Sequence, residues 1–137
     1  MITFFDSNIF VYALDGAEPL KQAKSLARIE QARAQGEVAL STQVLHEFYN
    51  ICRRKLQPGL DHEQAAQAVR HLCEFTVLGT STASVQAALA LVQQHKISWW
   101  DALILEAALR SDADILVSED GQHGRRFGKL VVENPLT

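Results

Sequence analysis

The sequence of 137 residues lacks the features of a secreted or membrane-spanning protein. It has only two cysteines, Cys52 and Cys73, which are not in a C-x-x-C arrangement and fall in helical patterns. We expect them to be reduced, partly buried thiols rather than a disulfide or a metal site. No apolar run approaches the length that spans a bilayer, and the sequence does not start with a basic segment followed by an apolar one. We therefore expect a cytoplasmic protein without a membrane anchor.

An excess of basic residues is also lacking. The formal net charge is −3 and the isoelectric point is near 5.9, which argues against binding nucleic acid through a broad basic face and leaves only a local basic strip. The five histidines form no H-x-x-x-H or H-E-x-x-H spacing, so a zinc hydrolase is not indicated. Trp99 and Trp100 are interpreted as core aromatics at a helix start, with base stacking as the alternative.

The sequence does contain short apolar runs that alternate with longer helical patterns. The runs predict strands at Ile2–Phe5, Val38–Leu40, Phe75–Leu78, Ile115–Val117 and Leu130–Val132. Apolar strands separated by helices are typical of a parallel sheet in an α/β fold. Because no repeat, linker or low-complexity tract occurs, we expect a single domain over residues 1–137.

Helix boundaries are indicated by proline, glycine and capping residues. Pro19 and Gly36 bracket one helix, because proline is favoured at the first helical position and glycine just past the end. Capping residues predict that further helices start at Thr42, Asp61 and Thr82.

Four acidic residues occur where strands should meet helices, or on the helices that follow: Asp6, Glu47, Asp101 and Asp120. The carboxyl ends of parallel strands share one edge of a sheet, and open α/β sheets bind their ligands there. Carboxylates gathered at that edge repel one another, so they are stable as anions only around a divalent cation. The sequence therefore indicates a metal-dependent hydrolase.

Each acid also has a purely structural interpretation. Asp6 could cap a short helix that begins near Ile9. Glu47 lies at the edge of an apolar helical stripe, where solvated glutamates are common. Asp120 could be exposed in a polar loop, and either it or Glu119 could face a metal ion. For any single acid these interpretations stay open, whereas the four together favour a site.

Asp101 is predicted to lie in the first turn of a helix. It follows Ser98 at capping-box spacing, and an acid there complements the helix dipole. At about 100° per residue its side chain should project toward the apolar face, whereas Glu106 and Arg110 should form an exposed pair on the opposite face. An inward carboxylate needs a partner, and a metal ion provides one.

In order and spacing these motifs resemble those of the PIN domain family, and the whole chain is similar in size and layout to VapC-type toxin ribonucleases. The matching segments are Asp6-Ser7-Asn8, Leu45-His46-Glu47-Phe48, Ser98-Trp99-Trp100-Asp101-Ala102 and Ser118-Glu119-Asp120. The resemblance implies a three-layer fold with a central, mostly parallel sheet of about five strands flanked by helices. The resemblance also implies that Asp120, rather than Glu119, is the acid that faces the metal ion.

The resemblance further implies a Mg²⁺- or Mn²⁺-dependent endoribonuclease in which water attacks the phosphodiester. The implied catalytic and metal-binding residues are Asp6, Glu47, Asp101 and Asp120. Asp6 and Asp101 would be the principal ligands, and the other two would bind a second ion or orient waters. Asn8 and Ser118 would position Asp6 and nearby water through hydrogen bonds. The implied partners are RNA, a cognate antitoxin and a second copy of the chain in a homodimer.

Two other functional classes match parts of the sequence. A phosphatase of the haloacid dehalogenase type also has an aspartate after its first strand, but it needs Asp-x-Asp where this chain has Asp6-Ser7-Asn8. Such a phosphatase also needs a catalytic lysine after a later strand, and no lysine of this chain can be assigned to that position. An RNA-binding module of PIN shape without turnover would be free to lose carboxylates, and all four are present. The sequence therefore favours the ribonuclease, as the toxin of a type II toxin–antitoxin pair.

Overall fold

The computed structural model describes residues 1–137 as six helices and six strands. The helices are α1 (Ser7–Tyr12), α2 (Pro19–Gln35), α3 (Thr42–Arg54), α4 (His62–Leu72), α5 (Thr82–His95) and α6 (Trp99–Arg110). The strands are β1 (Ile2–Phe5), β2 (Glu37–Ser41), β3 (Thr76–Leu78), β4 (Ile115–Val117), β5 (Arg126–Phe127) and β6 (Leu130–Glu133). None of the helices combines the length and apolarity needed to cross a bilayer.

The six strands form one sheet in the order β3-β2-β1-β4-β6-β5. All neighbouring strands run parallel except β5, which is antiparallel to β6. The predicted α/β class with a mostly parallel sheet flanked by helices is confirmed, but there are six strands rather than five. β5 was missed because two residues in a polar segment carry no hydrophobic period.

The direction of the chain across the sheet reverses at β1. From β1 the chain adds β2 and β3 on one side, and then returns to add β4 on the other side of β1. Helices α1 to α4 pack against one another and α5 packs against α6, which is the grouping expected when right-handed crossovers run in opposite directions and place helices on opposite faces. The reversal opens a crevice at the carboxyl ends of β1 and β4, where α/β proteins place their ligands.

Most helix starts follow the predicted capping chemistry. α2 begins at Pro19, and Asp61 forms a capping box with Gln64 at the start of α4. The predicted cap of α3 is wrong by one residue, because the hydroxyl of Ser41 rather than Thr42 accepts the N–H of Val44. Strand β2 runs directly into this helix, so the residue that ends the strand also caps the helix.

The predicted exposure of several side chains is wrong, and Trp99, expected in the core, is only half-buried. Glu106 is only 8% exposed, although it does pair with Arg110 at 2.9 Å. Helix α6 packs against both α5 and β2, so it is covered on two sides and its outer face is not free. Trp100, in the first turn of the same helix, is 65% exposed instead of lying in the core. Cys52 is buried, but Cys73 is exposed because it follows the last turn of α4.

Candidate active site

Asp6 lies at the carboxyl end of β1 and is only 6% exposed. One carboxylate oxygen, Oδ1, caps α1 by accepting the N–H of Ser7 at 2.7 Å. The other, Oδ2, accepts the hydroxyl of Ser118 at 2.9 Å. The capping interpretation is therefore correct for one oxygen, while the second points to the end of β4.

Ser118 joins the ends of the two central strands. Its buried hydroxyl donates to Asp6 and accepts the backbone N–H of Asp120 at 3.1 Å, which orders the loop after β4. The amide Nδ2 of Asn8 donates to Oδ2 of Asp120 at 3.3 Å. Asn8 was expected to hydrogen-bond to Asp6, but it orients Asp120 instead. The hydrogen bond predicted from Ser118 to Asp6 is present.

Glu47 lies in the second turn of α3 and is half-buried. The hydroxyl of Ser7 donates to its Oε2 at 3.0 Å, and Nε2 of Gln43 donates to its Oε1 at 2.7 Å. Neither hydrogen bond is expected from the sequence motifs. Gln43 could have been found from its i,i+4 spacing to Glu47, but the contact of Ser7 joins residues 40 positions apart and has no local signal.

Asp101 lies in the first turn of α6, where its N–H donates to Oγ of Ser98 at 3.1 Å. Its side chain is exposed, so the prediction that it points into the core is wrong. The neighbouring residue Ala102 is the one that the fold buries in this turn. The pKa of Asp120 is raised chiefly by burial, and the negative charge of Asp101 adds to that rise.

Glu119 has partners of its own outside this group. Oη of Tyr12 donates to its Oε1 at 2.9 Å, and Nζ of Lys21 lies 3.6 Å from its Oε2. Lys21 also lies over the ring of Tyr12, 4.8 Å from its centre. These contacts hold the Glu119 carboxylate against α1 and α2 and favour Asp120 as the acid that faces the other three.

The electrostatics of the group are unfavourable without a cation. Burial raises the pKa of Asp6 to about 6, and the charges of Glu47 and Asp120 add to the rise against the hydrogen bonds from Ser7 and Ser118. Burial also raises the pKa of Asp120, with further contributions from Asp101, Glu119 and Glu47. None of the ion pairs of the protein involves the four predicted site acids. Their negative charge is left without compensation from lysine or arginine.

The donor chemistry of this group fits Mg²⁺ or Mn²⁺. No three side chains of histidine, cysteine, aspartate or glutamate form a ready-made metal-binding group. Mg²⁺ commonly binds to one or two carboxylates and keeps several waters, so it does not need such a cage. A buried carboxylate with a raised pKa beside further carboxylates is stabilised by a divalent cation.

Asp6 makes the stability of the metal-free protein depend on pH. Its folded-state pKa of about 6 lies above the ordinary value of 3.8, so the folded protein holds this proton more tightly than the unfolded chain. The contribution of Asp6 to the free energy of unfolding should therefore fall by up to about 3 kcal/mol as pH rises from about 4 to 6. Above that range it should stay constant. We expect urea unfolding in EDTA to show Asp6→Asn gaining stability over wild type across this range. A constant difference from about pH 4 to pH 8 would contradict the raised pKa.

The chain was compared with known protein families and solved structures. The chain matches the family model described as PIN domain over residues 3–128. No curated protein is similar enough in sequence to match.

Several solved structures share the fold. One is a toxin–antitoxin complex from Klebsiella pneumoniae, with a TM-score of 0.70 and 19% identity, covering 97% of both chains. Another is VapBC2 from Rickettsia felis bound to a DNA fragment from its promoter, with a TM-score of 0.67 and 21% identity over 98% of both chains. A third is VapC20 of Mycobacterium tuberculosis, described as a sarcin-ricin loop cleaving toxin, with a TM-score of 0.62 and 15% identity over 83% of this chain and 86% of that one.

Proposed function

The chain belongs to the PIN domain family, and from that premise we propose that it is a metal-dependent endoribonuclease that acts as the toxin of a toxin–antitoxin pair. The observation that carries the proposal is the buried Asp6, which lies among other carboxylates at the crevice between β1 and β4 without a basic partner. A site of uncompensated acids is suited to a divalent cation. Such a cation can promote hydrolysis of a phosphodiester by activating water and neutralising charge.

In this proposal the four acids hold Mg²⁺ or Mn²⁺, with Asp6 and Asp101 as principal ligands and Glu47 and Asp120 beside them. When bound, the cation lowers the pKa of water and neutralises charge on the phosphodiester. The hydroxyls of Ser7 and Ser118 hold Glu47 and Asp6 in fixed orientations, which reduces the reorganisation needed on binding.

The toxin role is supported by the structural neighbours, two of which are toxin–antitoxin complexes. An antitoxin that neutralises this chain would present a basic segment, because the site acids lack ion-pair partners and attract cationic side chains. We propose a homodimer as the assembled form, by analogy with the VapC-type proteins that the sequence resembles.

Calorimetric titration of Mn²⁺ at neutral pH tests the metal site. We expect wild type to bind Mn²⁺ and the Asp6→Asn/Asp101→Asn double variant to lose binding, because it removes two of the proposed oxygen ligands. Cleavage of RNA by wild type should need Mg²⁺ or Mn²⁺, stop with EDTA, and fail with Ca²⁺, whose looser coordination misplaces the attacking water.

A charge-matched control separates site binding from general attraction to acids. Glu30→Gln/Glu63→Gln removes two carboxylates whose side chains are 68% and 78% exposed, and it should bind Mn²⁺ like wild type. Equal Mn²⁺ binding by wild type and the Asp6→Asn/Asp101→Asn variant would place the metal elsewhere and refute the assignment.

A further inference from the structure

A groove of about 500 Å³ adjoins the candidate active site. Its walls come from α3, from the start of α5 and from the first turns of α6. Glu47 belongs both to this wall and to the group of acids, and Trp100 in the wall directly precedes Asp101 in sequence. The groove is therefore continuous with the site at which the proposed hydrolysis takes place.

The chemistry of the groove suits an uncharged planar group. Trp100 is 65% exposed and presents a large aromatic surface that the fold of this chain does not cover. Gln43 and Asn50 supply amide donors and acceptors in the same wall. No lysine or arginine lines the groove, so its walls are better matched to a base than to a phosphate.

We propose that this groove binds the base of a nucleotide next to the cleaved phosphodiester, with Trp100 as the surface on which the base stacks. The inference rests on the proposed ribonuclease function and specifies its substrate as single-stranded or unpaired RNA. Proteins recognise unpaired RNA by stacking exposed bases on aromatic side chains and by hydrogen bonds to the base edges. A base within a duplex cannot enter, because its faces are already stacked.

The size of the groove favours a base over a second protein molecule. Ten residues line it, whereas a stable protein interface uses about 20–30 residues a side. Pockets of about 300–1,000 Å³ are typical of sites for small ligands, and a nucleotide base is within that size class.

Intrinsic fluorescence can report on this groove alone, because both tryptophans of the chain line it. The probe is an eight-nucleotide RNA of mixed sequence, added to Asp6→Asn protein so that it is not cut. We expect saturable quenching, and about tenfold weaker binding of an abasic version with the same phosphates. Equal affinity for the two would overturn the proposal, because phosphates alone would then account for binding.

Variants of Trp100 test the same contact in cleavage. We expect Trp100→Ala to raise the KM for a cleaved RNA about tenfold with little change in kcat, and Trp100→Phe to keep KM within about threefold of wild type. Leu20→Ala is the matched control, since Leu20 is 68% exposed on α2 and does not line the groove. An unchanged KM in Trp100→Ala would overturn the proposal.

The outcomes separate the groove from the proposed function. If wild type cleaves RNA and Trp100→Ala has the same KM, this inference fails and the ribonuclease stands. If wild type cleaves no RNA with Mg²⁺ or Mn²⁺, the proposed function fails. If tryptophan fluorescence instead changes with protein concentration and Trp100→Ala turns a dimer into a monomer on gel filtration, a second copy covers the groove and base binding is overturned.

Discussion

Replacing Asp6 by asparagine is expected to abolish RNA cleavage and, in the same protein, to raise the melting temperature without metal. The variant removes a buried negative charge whose pKa is raised to about 6 by burial and by Glu47 and Asp120. Asparagine keeps the shape, can still cap α1 and can still pair with Ser118. The protein should therefore keep its fold while it loses a metal ligand.

Both effects should be large. Loss of a residue that merely supports a ligand costs about 10–100-fold in activity or metal affinity, so loss of the ligand itself should cost at least about 100-fold. A gain of up to about 3 kcal/mol in stability corresponds to an increase of up to about 10 °C in Tm for a chain of this length. The measurements are initial rates of RNA cleavage with Mg²⁺ and thermal unfolding in EDTA.

Glu63→Gln is the control for this experiment, because its side chain is 78% exposed and outside the site. Glu106→Gln would be a poor control, since Glu106 is buried and paired with Arg110. Cleavage by Asp6→Asn at a rate near that of wild type would remove Asp6 from the proposed mechanism, whatever the change in Tm.

Induced expression of the wild-type chain should arrest growth of a bacterial host, and expression of Asp6→Asn should not. A ribonuclease that acts on cellular RNA stops protein synthesis, and the single substitution removes the proposed chemistry while it preserves the folded protein. The measurement is the number of colony-forming units after induction, with the amount of each protein checked in the cells.

Glu63→Gln again provides the matched comparison, and we expect it to arrest growth like wild type. If wild type and Asp6→Asn are equally harmless at equal amounts while purified wild type cleaves RNA, the ribonuclease stands and the toxin role is refuted. Equal toxicity of both proteins would mean that growth arrest does not come from cleavage at this site.

Several elements could be predicted from the sequence because their signals are local. The apolar runs at β1 and β4 have the observed bounds, and Pro19 and Asp61 lie at helix starts as predicted. Capping depends on residues within one helical turn, so the sequence contains all the groups involved. β5 carries too few residues for any pattern, and its two residues pair only because β6 lies beside them.

The exposure of helical side chains was harder to predict, because it depends on what covers each face. Glu106 and Arg110 pair as expected, but α5 and β2 cover α6 on two sides, so Glu106 is buried. Asp101 is in the first turn of the same helix, and it is exposed although the neighbouring Ala102 is buried. Helical periodicity gives the direction of a side chain and not the position of its neighbours.

The sequence by itself determined the α/β class and the positions of most elements, because these follow from hydrophobic period and capping chemistry. It also predicted four acids as a site, from residue type and position. Only the tertiary structure decided how the acids are held. Ser7 reaches Glu47 across 40 positions and Ser118 reaches Asp6 across 112, and Glu119 is drawn to Tyr12 instead of the other acids. The first contact follows from the packing of α1 against α3, and the other two from the position of β4 beside β1, which no local pattern encodes.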